Sequence, residues 1–202
     1  MPEHTATERA NELLTAVRQR YAAVAREPRG QFPYPVGLES LERLGYAPEW
    51  ISGVPRELAT RFVGVGNPLV VRPPRPGERV LDIGCGCGVD TVIAARLVGQ
   101  SGRAVGLDAT PEMLEWPRNA GAGVDGCAPE FIEGSVENIP FEDQSFDVVI
   151  SNGALNLATD KDRAFLEIAR VLVAGGEMVV ADLIVRETIP EEVLASMDAW
   201  SA

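Results

Sequence analysis

Two of the three cysteines lie inside a run of glycines, in the segment VLDIGCGCGVD at residues 80–90. Thiols at this spacing could bind a metal ion or carry out redox chemistry, whereas glycines between a strand and a helix indicate a nucleotide-binding loop. Cys85 and Cys87 provide two thiolates, and a closed zinc site needs about four ligands. We therefore interpret both as small residues that fill space, interpret Cys127 as structural, and predict no metal site.

The glycines at positions 84, 86 and 88 allow a sharp turn and a close approach of a ligand to the backbone. A helix that starts near Val89 would point free N–H groups at this loop, which favours an anionic group. The third glycine comes one residue too early for a dinucleotide-binding loop, and Asp82 would repel a pyrophosphate but could hold an ammonium group. The loop therefore predicts a ligand with both a cationic and an anionic end.

A second carboxylate, Asp108, follows Gly88 by 20 residues, at the end of the next predicted strand. A carboxylate at this place can accept hydrogen bonds from both ribose hydroxyls. The glycine loop, the ribose-binding carboxylate Asp108 and Asp82 together indicate S-adenosylmethionine as the ligand. Its amino-acid end would lie at the loop and its ribose at Asp108. An NAD-linked reductase is an alternative, but Val89 in the place of the third glycine and the charge of Asp82 disfavour it.

Alternating strands and helices are expected to position these residues. The predicted strands are Arg79–Ile83, Ala104–Leu107, Phe131–Ile132, Phe146–Ser151 and Glu177–Ile184, and the predicted helices between them are Thr91–Val98, one that begins at Pro111, and Lys161–Leu172. This alternation predicts an α/β fold with a doubly wound, mostly parallel sheet that binds ligands at the carboxyl ends of its strands. Pro117 predicts a short or kinked helix after Pro111, since proline costs about 3 kcal/mol in a helix interior.

An N-terminal extension precedes this core. The boundary is the segment PPRPG at residues 73–77, because its prolines cannot continue a helix. We predict a helical extension over residues 1–76 and a core over residues 77–202, with the extension, from about Thr7 to Val70, acting as a lid over the ligand. The predicted helices of the extension are Thr7–Arg26, Leu38–Leu44 and one or two pieces within Pro48–Arg61. Its aromatic residues are expected to pack or to contact a sulfonium, and they are Tyr21, Tyr34, Tyr46 and Trp50.

Composition limits the class of protein. The chain has 202 residues, of which 46% are hydrophobic, enough for a core. No apolar run reaches the ~18 residues of a membrane span, and the N-terminus lacks a signal pattern, so we expect a cytoplasmic protein with no membrane partner. The net charge of −12 argues against nucleic acid as a partner. We expect a monomer or a homodimer.

Four segments resemble successive motifs of class I S-adenosylmethionine-dependent methyltransferases, and they are VLDIGCGCGVD, AVGLDATPEML, FIEGSVENIPFEDQSFDVVISNGALNL and VLVAGGEMVVADLI. Together they cover residues 80–184 and imply a Rossmann-like core. Within this superfamily the chain is similar to the arsenite methyltransferases, through GVGNP at Gly64–Pro68, TPEML at Thr110–Leu114, SNxxxNL from Ser151 and IPEEV at Ile189–Val193. This closer resemblance extends from about Leu13 to Trp200.

The resemblance implies methyl transfer from S-adenosylmethionine to a small-molecule acceptor, with S-adenosylhomocysteine as the product. The implied cofactor-binding residues are Asp82, Gly84, Cys85, Gly86, Asp108, Ala109, Met113, Ser135, Val136 and Asn152. The adenine-binding turn falls at residues 134–137, with Ser135 in the place of the usual acid, and Asn152 falls beside the transferred methyl group. No catalytic residue is predicted, His4 being the single histidine, since methyl transfer to a good nucleophile needs little beyond alignment.

The methyl acceptor is where the resemblance to arsenite methyltransferases fails. Arsenite methylation needs thiolates, because trivalent arsenic is soft and binds sulfur. The cysteines of that family fall at Val65 and Gly153 of this chain, and a third falls beyond Ala202. We therefore expect a different small-molecule acceptor, with arsenite methylation and a non-catalytic cofactor-binding or interaction protein as the alternatives.

The end of the chain predicts an incomplete sheet. A class I methyltransferase sheet usually has seven strands, whereas five fit before Ile184 and eighteen residues follow it. We expect the last strand hairpin to be missing. The exposed strand edge would then belong to a truncated form or be covered by a partner chain.

Overall fold

The structure is a computed structural model that describes residues 6–120 and 125–184. Its centre is a sheet whose strands are β1 (Arg79–Ile83), β2 (Arg103–Asp108), β3 (Glu130–Glu133), β4 (Phe146–Asn152) and β5 (Leu172–Ala181). The strands lie in the order β3-β2-β1-β4-β5, and each neighbouring pair is parallel. The order changes direction at β1, so a crevice lies at the carboxyl ends of β1 and β4.

The helices lie before the sheet and between its strands. They are α1 (Ala6–Arg26), α2 (Leu38–Arg43), α3 (Pro48–Ser52), α4 (Arg56–Ala59), α5 (Pro68–Val71), α6 (Val89–Val98), α7 (Pro111–Ala120) and α8 (Lys161–Val171), with a 3-10 turn at Leu155–Leu157. The predicted α/β class with a parallel sheet and a helical N-terminal extension is confirmed. None of the described helices is both long and apolar enough to cross a lipid bilayer.

Apolar side chains cover both faces of the sheet. On one face, Val80 and Val148 belong to a buried cluster with α6 and the N-terminal helices. On the other face, Leu81 and Val149 belong to a cluster with α8. Successive residues of a strand point to opposite faces of the sheet. Because both faces are covered, neighbouring residues such as Val80 and Leu81 are both apolar, and the strands do not alternate between apolar and polar residues. Burial of this surface, at about 25 cal/mol per Å², stabilises the frame that holds the site.

The fifth strand differs from its prediction. The regular ladder pairs Glu177–Ala181 with β4 as expected, but the strand begins at Leu172, and the register shifts near Phe146. The predicted end at Ile184 is wrong. The chain leaves the ladder after Ala181 because the carboxylate of Asp182 accepts the N–H groups of Asn156 and Leu183 at 3.0 and 2.7 Å.

The helix after β2 continues through its proline. α7 is described over ten residues, and Pro117 is a buried residue within it, with three further helical residues after it. Helix α1 lies against α7, where the indole N–H of Trp116 donates to the carbonyl of Ala25 at 2.9 Å. The guanidinium of Arg61 lies 3.4 Å from the centre of the Trp116 ring. These contacts attach the N-terminal extension to the core.

Some predictions fall on parts of the chain outside the described residues. These are the single histidine, His4, the IPEEV segment at Ile189–Val193, and the region where a final strand hairpin would follow.

Candidate functional site

A cavity of about 1060 Å³, including its open mouth, lies at the carboxyl ends of β1, β2 and β4. All ten residues predicted to bind the cofactor line it, namely Asp82, Gly84, Cys85, Gly86, Asp108, Ala109, Met113, Ser135, Val136 and Asn152. The N-terminal extension adds further lining residues, among them Leu14, Val17, Tyr21, Phe62 and Val63. A space of this size suits a cofactor or small ligand.

The glycine loop joins β1 to α6. Gly84, Gly86 and Gly88 have φ angles of 67°, 53° and 81°, a left-handed conformation that disfavours other residues. A Cβ on Gly84 would lie 2.1 Å from the Cβ of Ala154, whereas a Cβ on Gly86 would meet nothing within 4 Å. Gly84 is therefore required by packing, and Gly86 leaves open space for a ligand.

The thiols of the loop are neutral residues in an apolar setting. Burial raises the pKa of Cys85 well above its usual value and that of Cys87 to about 12. The Cys87 thiol donates to the carbonyl of Leu58 at 3.4 Å, and the Cys127 thiol donates to that of Ala95 at 3.6 Å. Among the described residues, no group of three or more histidine, cysteine or acidic side chains could hold a metal ion.

Two carboxylates predicted from the sequence lie at the loop. Asp82 is 2% exposed and accepts a hydrogen bond from the hydroxyl of Thr91 at 2.6 Å. Asp108 accepts the N–H groups of Gly86 and Thr110, each at 2.8 Å and each on a different oxygen. Asp108 therefore ties the glycine loop to the end of β2.

A third carboxylate, Asp90, was not predicted as a site residue. It lies in the first turn of α6, is 5% exposed and lines the same cavity. The Tyr46 hydroxyl donates to one of its oxygens at 2.6 Å, and the Asn152 side-chain amide donates to the other at 3.0 Å. Its sequence signal was an acid in the first turn of a helix directly after a glycine loop, which is a favourable position for a negative charge.

Burial raises the pKa values of these acids. It raises the pKa of Asp82 well above its usual range, and the neighbouring Asp90 charge adds to this effect. Burial raises the pKa of Asp90 to about 6 and also raises the pKa of Asp108, although hydrogen-bond donors oppose both shifts. None of the described lining residues is a lysine, arginine or histidine. The cavity therefore favours a cationic ligand.

The predicted adenine-binding turn is stabilised by its own polar groups. The hydroxyl of Ser135 accepts the N–H of Glu137 at 3.1 Å. The Glu137 carboxylate accepts the N–H and the hydroxyl of Thr159 at 2.7 and 2.8 Å, which attaches the turn to the segment before α8.

The four aromatic residues of the extension have different positions. Tyr21 lines the cavity. Tyr34 stacks on Phe32, with ring centres 5.1 Å apart, and Trp50 packs against the core cluster. Tyr46 is buried behind the cavity wall, and its hydroxyl donates a hydrogen bond to Asp90.

The two positions at which the resemblance implies cysteines, Val65 and Gly153, lie side by side. Gly153 lines the cavity and has a φ of 69°. A Cβ at this residue would lie 3.8 Å from the Cβ of Val65. Val65 itself does not line the cavity and lies behind Gly153. The resemblance to arsenite methyltransferases gave both positions in the sequence but did not predict that they lie next to each other.

A family model described as a methyltransferase domain matches residues 74–202. The chain is 39% identical over 158 residues to an arsenite methyltransferase of Halobacterium salinarum, which covers 78% of this chain and 40% of that protein. A ubiquinone/menaquinone biosynthesis C-methyltransferase of Vibrio vulnificus is 36% identical over 110 residues, covering 54% of this chain and 42% of that protein. The chain spans less than half the length of these curated relatives.

A solved structure shows the same fold. It is an arsenic(III) S-adenosylmethionine methyltransferase from Chlamydomonas reinhardtii, with a TM-score of 0.66 and 37% identity. The match covers 76% of this chain and 56% of that chain.

Proposed function

We propose, because this chain belongs to the family of class I S-adenosylmethionine-dependent methyltransferases, that it transfers a methyl group from S-adenosylmethionine to a small-molecule acceptor. The family predicted from the sequence motifs is confirmed. One observation of the site supports the activity most strongly. Asp82, Asp90 and Asp108 surround one cavity whose described lining has no cationic side chain. S-adenosylmethionine carries a sulfonium and an ammonium group against one carboxylate, so its net charge complements this cavity.

The residues of the chain fit the parts of this cofactor. Asp82 would bind the ammonium group, and the open backbone at Gly86 would allow close contact with the amino-acid end. Asp108 would accept from the ribose hydroxyls, and the turn at Ser135 and Val136 would contact the adenine. The bound cofactor supplies an electrophilic methyl group on sulfur. The chain then has to align the acceptor and exclude water, and alignment alone can contribute roughly 7–11 kcal/mol.

The acceptor we propose is an uncharged, carbon-rich molecule. The part of the cavity under the N-terminal extension is lined by Leu14, Val17, Phe62 and Val63, and Leu157 faces the same cavity. These side chains offer no hydrogen bonds, and the nearby carboxylates disfavour an anion. The similarity to a C-methyltransferase of quinone biosynthesis supports this class.

Arsenite is the second candidate acceptor. It is favoured by the relatives from Halobacterium and Chlamydomonas, both of which are arsenic methyltransferases. It is disfavoured by Val65 and Gly153, which provide no thiolate where the related enzymes are expected to have one.

We also propose that the N-terminal extension closes over the bound cofactor. Residues of α1 line the cavity, and Trp116 and Arg61 attach the extension to α7. A covered site would keep water from the sulfonium and maintain alignment. A cytoplasmic location and a monomeric or homodimeric state complete the proposal.

Calorimetry and product formation test this function. S-adenosylmethionine and S-adenosylhomocysteine should bind with one site per chain, whereas NADH should not bind. Formation of S-adenosylhomocysteine is then measured with a hydroquinone, with arsenite plus glutathione, and without acceptor. Product with the hydroquinone supports the first acceptor class, and product with arsenite alone replaces it with the second. Tight cofactor binding without product from any broad panel of acceptors would support a non-catalytic protein, and no cofactor binding would overturn the proposal.

Hydrogen exchange tests the lid. Addition of S-adenosylhomocysteine should slow exchange at the glycine loop and also in α1 and the segment of residues 62–66. If exchange slows at the glycine loop but does not slow anywhere in residues 7–70, the extension does not close over the cofactor.

A further inference from the structure

Three polar side chains meet at the cavity wall, where Asp90 and Asn152 line the cavity and Tyr46 lies behind them, and their mutual hydrogen bonds are not contacts to the proposed cofactor. Tyr46 lies after α2, Asp90 lies in the first turn of α6, and Asn152 ends β4. The Tyr46 hydroxyl and the Asn152 amide both donate to the Asp90 carboxylate, one to each oxygen. The Asn152 amide also lies 3.1 Å from the Tyr46 hydroxyl.

The Asn152 side chain binds the backbone of the loop at Gly64–Pro68. Its oxygen accepts the N–H groups of Val65 and Gly66 at 2.9 and 3.1 Å, and its nitrogen donates to the carbonyl of Gly66 at 2.9 Å. The Tyr46 hydroxyl lies 3.3 Å from the same carbonyl. One amide therefore satisfies three backbone groups of a segment that has no regular secondary structure before α5.

This loop forms part of the cavity wall where we place the acceptor. Gly64 and Gly153 both line the cavity, and Val65 lies against the position of Gly153. A Cβ on Gly64 would lie 2.4 Å from the Asn152 amide nitrogen, so the loop is packed directly on the end of β4. Movement of the loop would change the shape of this wall.

We propose that Tyr46, Asp90 and Asn152 are positioning residues that hold the Gly64–Pro68 loop against the end of β4 and thereby fix the acceptor end of the cavity. The assignment of that end of the cavity to the acceptor rests on the proposed function, whereas the contact between the three residues and the loop does not.

The three residues depend on one another because their polar groups are buried. Asp90 is 5% exposed and Tyr46 is 3% exposed. A buried carboxylate needs hydrogen-bond donors, and the loss of one donor leaves it short of the bonds that replaced water. With its carboxylate in place, Asp90 orients the Asn152 nitrogen, and this leaves the Asn152 oxygen facing the loop.

Disulfide trapping measures how firmly the loop is held. The Cβ separation of 3.8 Å between Val65 and a residue with a side chain at 153 matches a disulfide. The parent variant is Val65→Cys with Gly153→Cys, and the effective concentration of its two thiols is measured in glutathione buffers, with the bond assigned by peptide mass mapping. Asn152→Ala and Tyr46→Phe are then added to this parent. The strain of a cysteine at 153 is present in every variant, so it cancels.

The matched control is Ser151→Ala. Ser151 precedes Asn152 on β4, and its hydroxyl donates to the carbonyl of Ile83 at 3.0 Å, away from the loop. We expect Asn152→Ala to lower the effective concentration at least tenfold, Tyr46→Phe to lower it a few-fold, and Ser151→Ala to leave it within about twofold. Equal values for Asn152→Ala and Ser151→Ala, or a parent that forms no disulfide, would overturn the proposal.

A second measurement needs no introduced cysteine. Amide exchange at Val65 and Gly66 is followed by NMR in Asn152→Ala and in Ser151→Ala, relative to exchange in β1. Faster exchange at these two amides in Asn152→Ala alone supports the positioning role, and equal acceleration in both variants overturns it. Affinity for S-adenosylmethionine is measured on the unsubstituted chain, so failure of the proposed function would be seen separately from failure of the loop contact.

Discussion

The two ends of the cavity are built in different ways. The end we assign to the cofactor, here called the cofactor half, consists of the glycine loop, Asp82 and Asp108. Its main contacts lie within the continuous β1–α6–β2 unit, such as the bond from Gly86 to Asp108. The end we assign to the acceptor, here called the acceptor half, consists of the Gly64–Pro68 loop, Gly153 and Asn152, and Asn152 lies at its border with the cofactor half because it is predicted to lie beside the transferred methyl group. Its contacts join segments that are far apart in sequence.

This difference predicts which substitutions should affect stability or cofactor affinity and which should affect the position of the Gly64–Pro68 loop. A change in the cofactor half acts on a rigid local turn and on charged groups, so it should alter stability or cofactor affinity strongly. A change in the acceptor half should alter the position of the loop while the cofactor contacts stay intact. The following predictions test the cofactor half, and the disulfide and amide-exchange measurements described above test the acceptor half.

The largest effect is expected from Gly84→Ala. Its Cβ would collide with Ala154, and the backbone conformation is left-handed, so we expect a loss of about 2–4 kcal/mol in the free energy of unfolding. Gly86→Ala is the control, because it has the same type of backbone conformation without a neighbour and should cost about 1–2 kcal/mol. Urea unfolding measures both. Equal losses would mean that the contact with Ala154 is not tight.

Asp108→Ala should weaken the binding of S-adenosylmethionine by about 1.5–3 kcal/mol, because charged acceptors of hydrogen bonds are removed. Asp108→Asn keeps one oxygen, so its affinity should lie between that of the unsubstituted chain and that of Asp108→Ala. Glu133→Ala is the matched control, since this exposed carboxylate is the partner of Asp108 in the neighbouring strand and does not line the cavity. Calorimetric affinity of Asp108→Ala within about twofold of the unsubstituted chain would refute the ribose assignment.

The affinity for S-adenosylmethionine should fall as the pH is lowered from 7.5 to 5.5. Asp90 has a pKa raised by burial to about 6, and its neighbour Asp82 also has a raised pKa, so protonation removes negative charge from the cavity that we propose holds the sulfonium. Binding of S-adenosylhomocysteine, which lacks the sulfonium charge, should change less. Calorimetry at several pH values gives the ratio of the two affinities. The role of Asp90 in this pH dependence would be contradicted if the ratio of the two affinities were constant with pH. It would also be contradicted if the ratio changed with pH as much in Asp90→Asn as in the unsubstituted chain.

The stability contribution of Asp90 should have the opposite sign. A raised pKa means that the folded state binds the proton more tightly than the unfolded state, so the contribution is complete below about pH 4 and is lost as the pH rises through about 6. The stability difference between the unsubstituted chain and Asp90→Asn should therefore favour the unsubstituted chain more at pH 5 than at pH 7. Thermal unfolding at both values measures it.

The smallest effect is expected from Cys85→Ala and Cys87→Ala. Both thiols are buried with raised pKa values and are neutral at pH 7, so cofactor affinity should stay within about twofold. Metal analysis of the purified chain accompanies the measurement. Stoichiometric zinc that is lost in either variant would show that the two cysteines are ligands rather than filler.

The sequence predicted the cofactor half more completely than the acceptor half, for a physical reason. The strand Arg79–Ile83 was predicted with its observed bounds, and the glycine loop and Asp108 follow from spacing within one βαβ unit. Local patterns record local geometry. Asn152 was predicted as a residue beside the methyl group, but its hydrogen bonds to the loop and to Tyr46 depend on how distant segments pack. The role of Asp90 was missed for the same reason, because it depends on hydrogen bonds from Tyr46 and Asn152, which lie far from it in sequence.

The fifth strand shows a similar limit. Its ladder from Glu177 was predicted by its apolar pattern. Its end was not, because Asp182 turns the chain by accepting an N–H group from Asn156, a residue of another segment.

The contact between Val65 and Gly153 has an evolutionary consequence. The two residues come from separate segments, Gly153 lines one end of the cavity and Val65 lies directly behind it, and neither is in the glycine loop or the ribose-binding strand end. Substitution at this pair can alter what the cavity accepts while the groups proposed to bind the cofactor stay unchanged. With the acceptor and the cofactor bound as we propose, a duplicated gene of this family would need very few mutations to acquire a new acceptor, because its methyl donor site would stay intact.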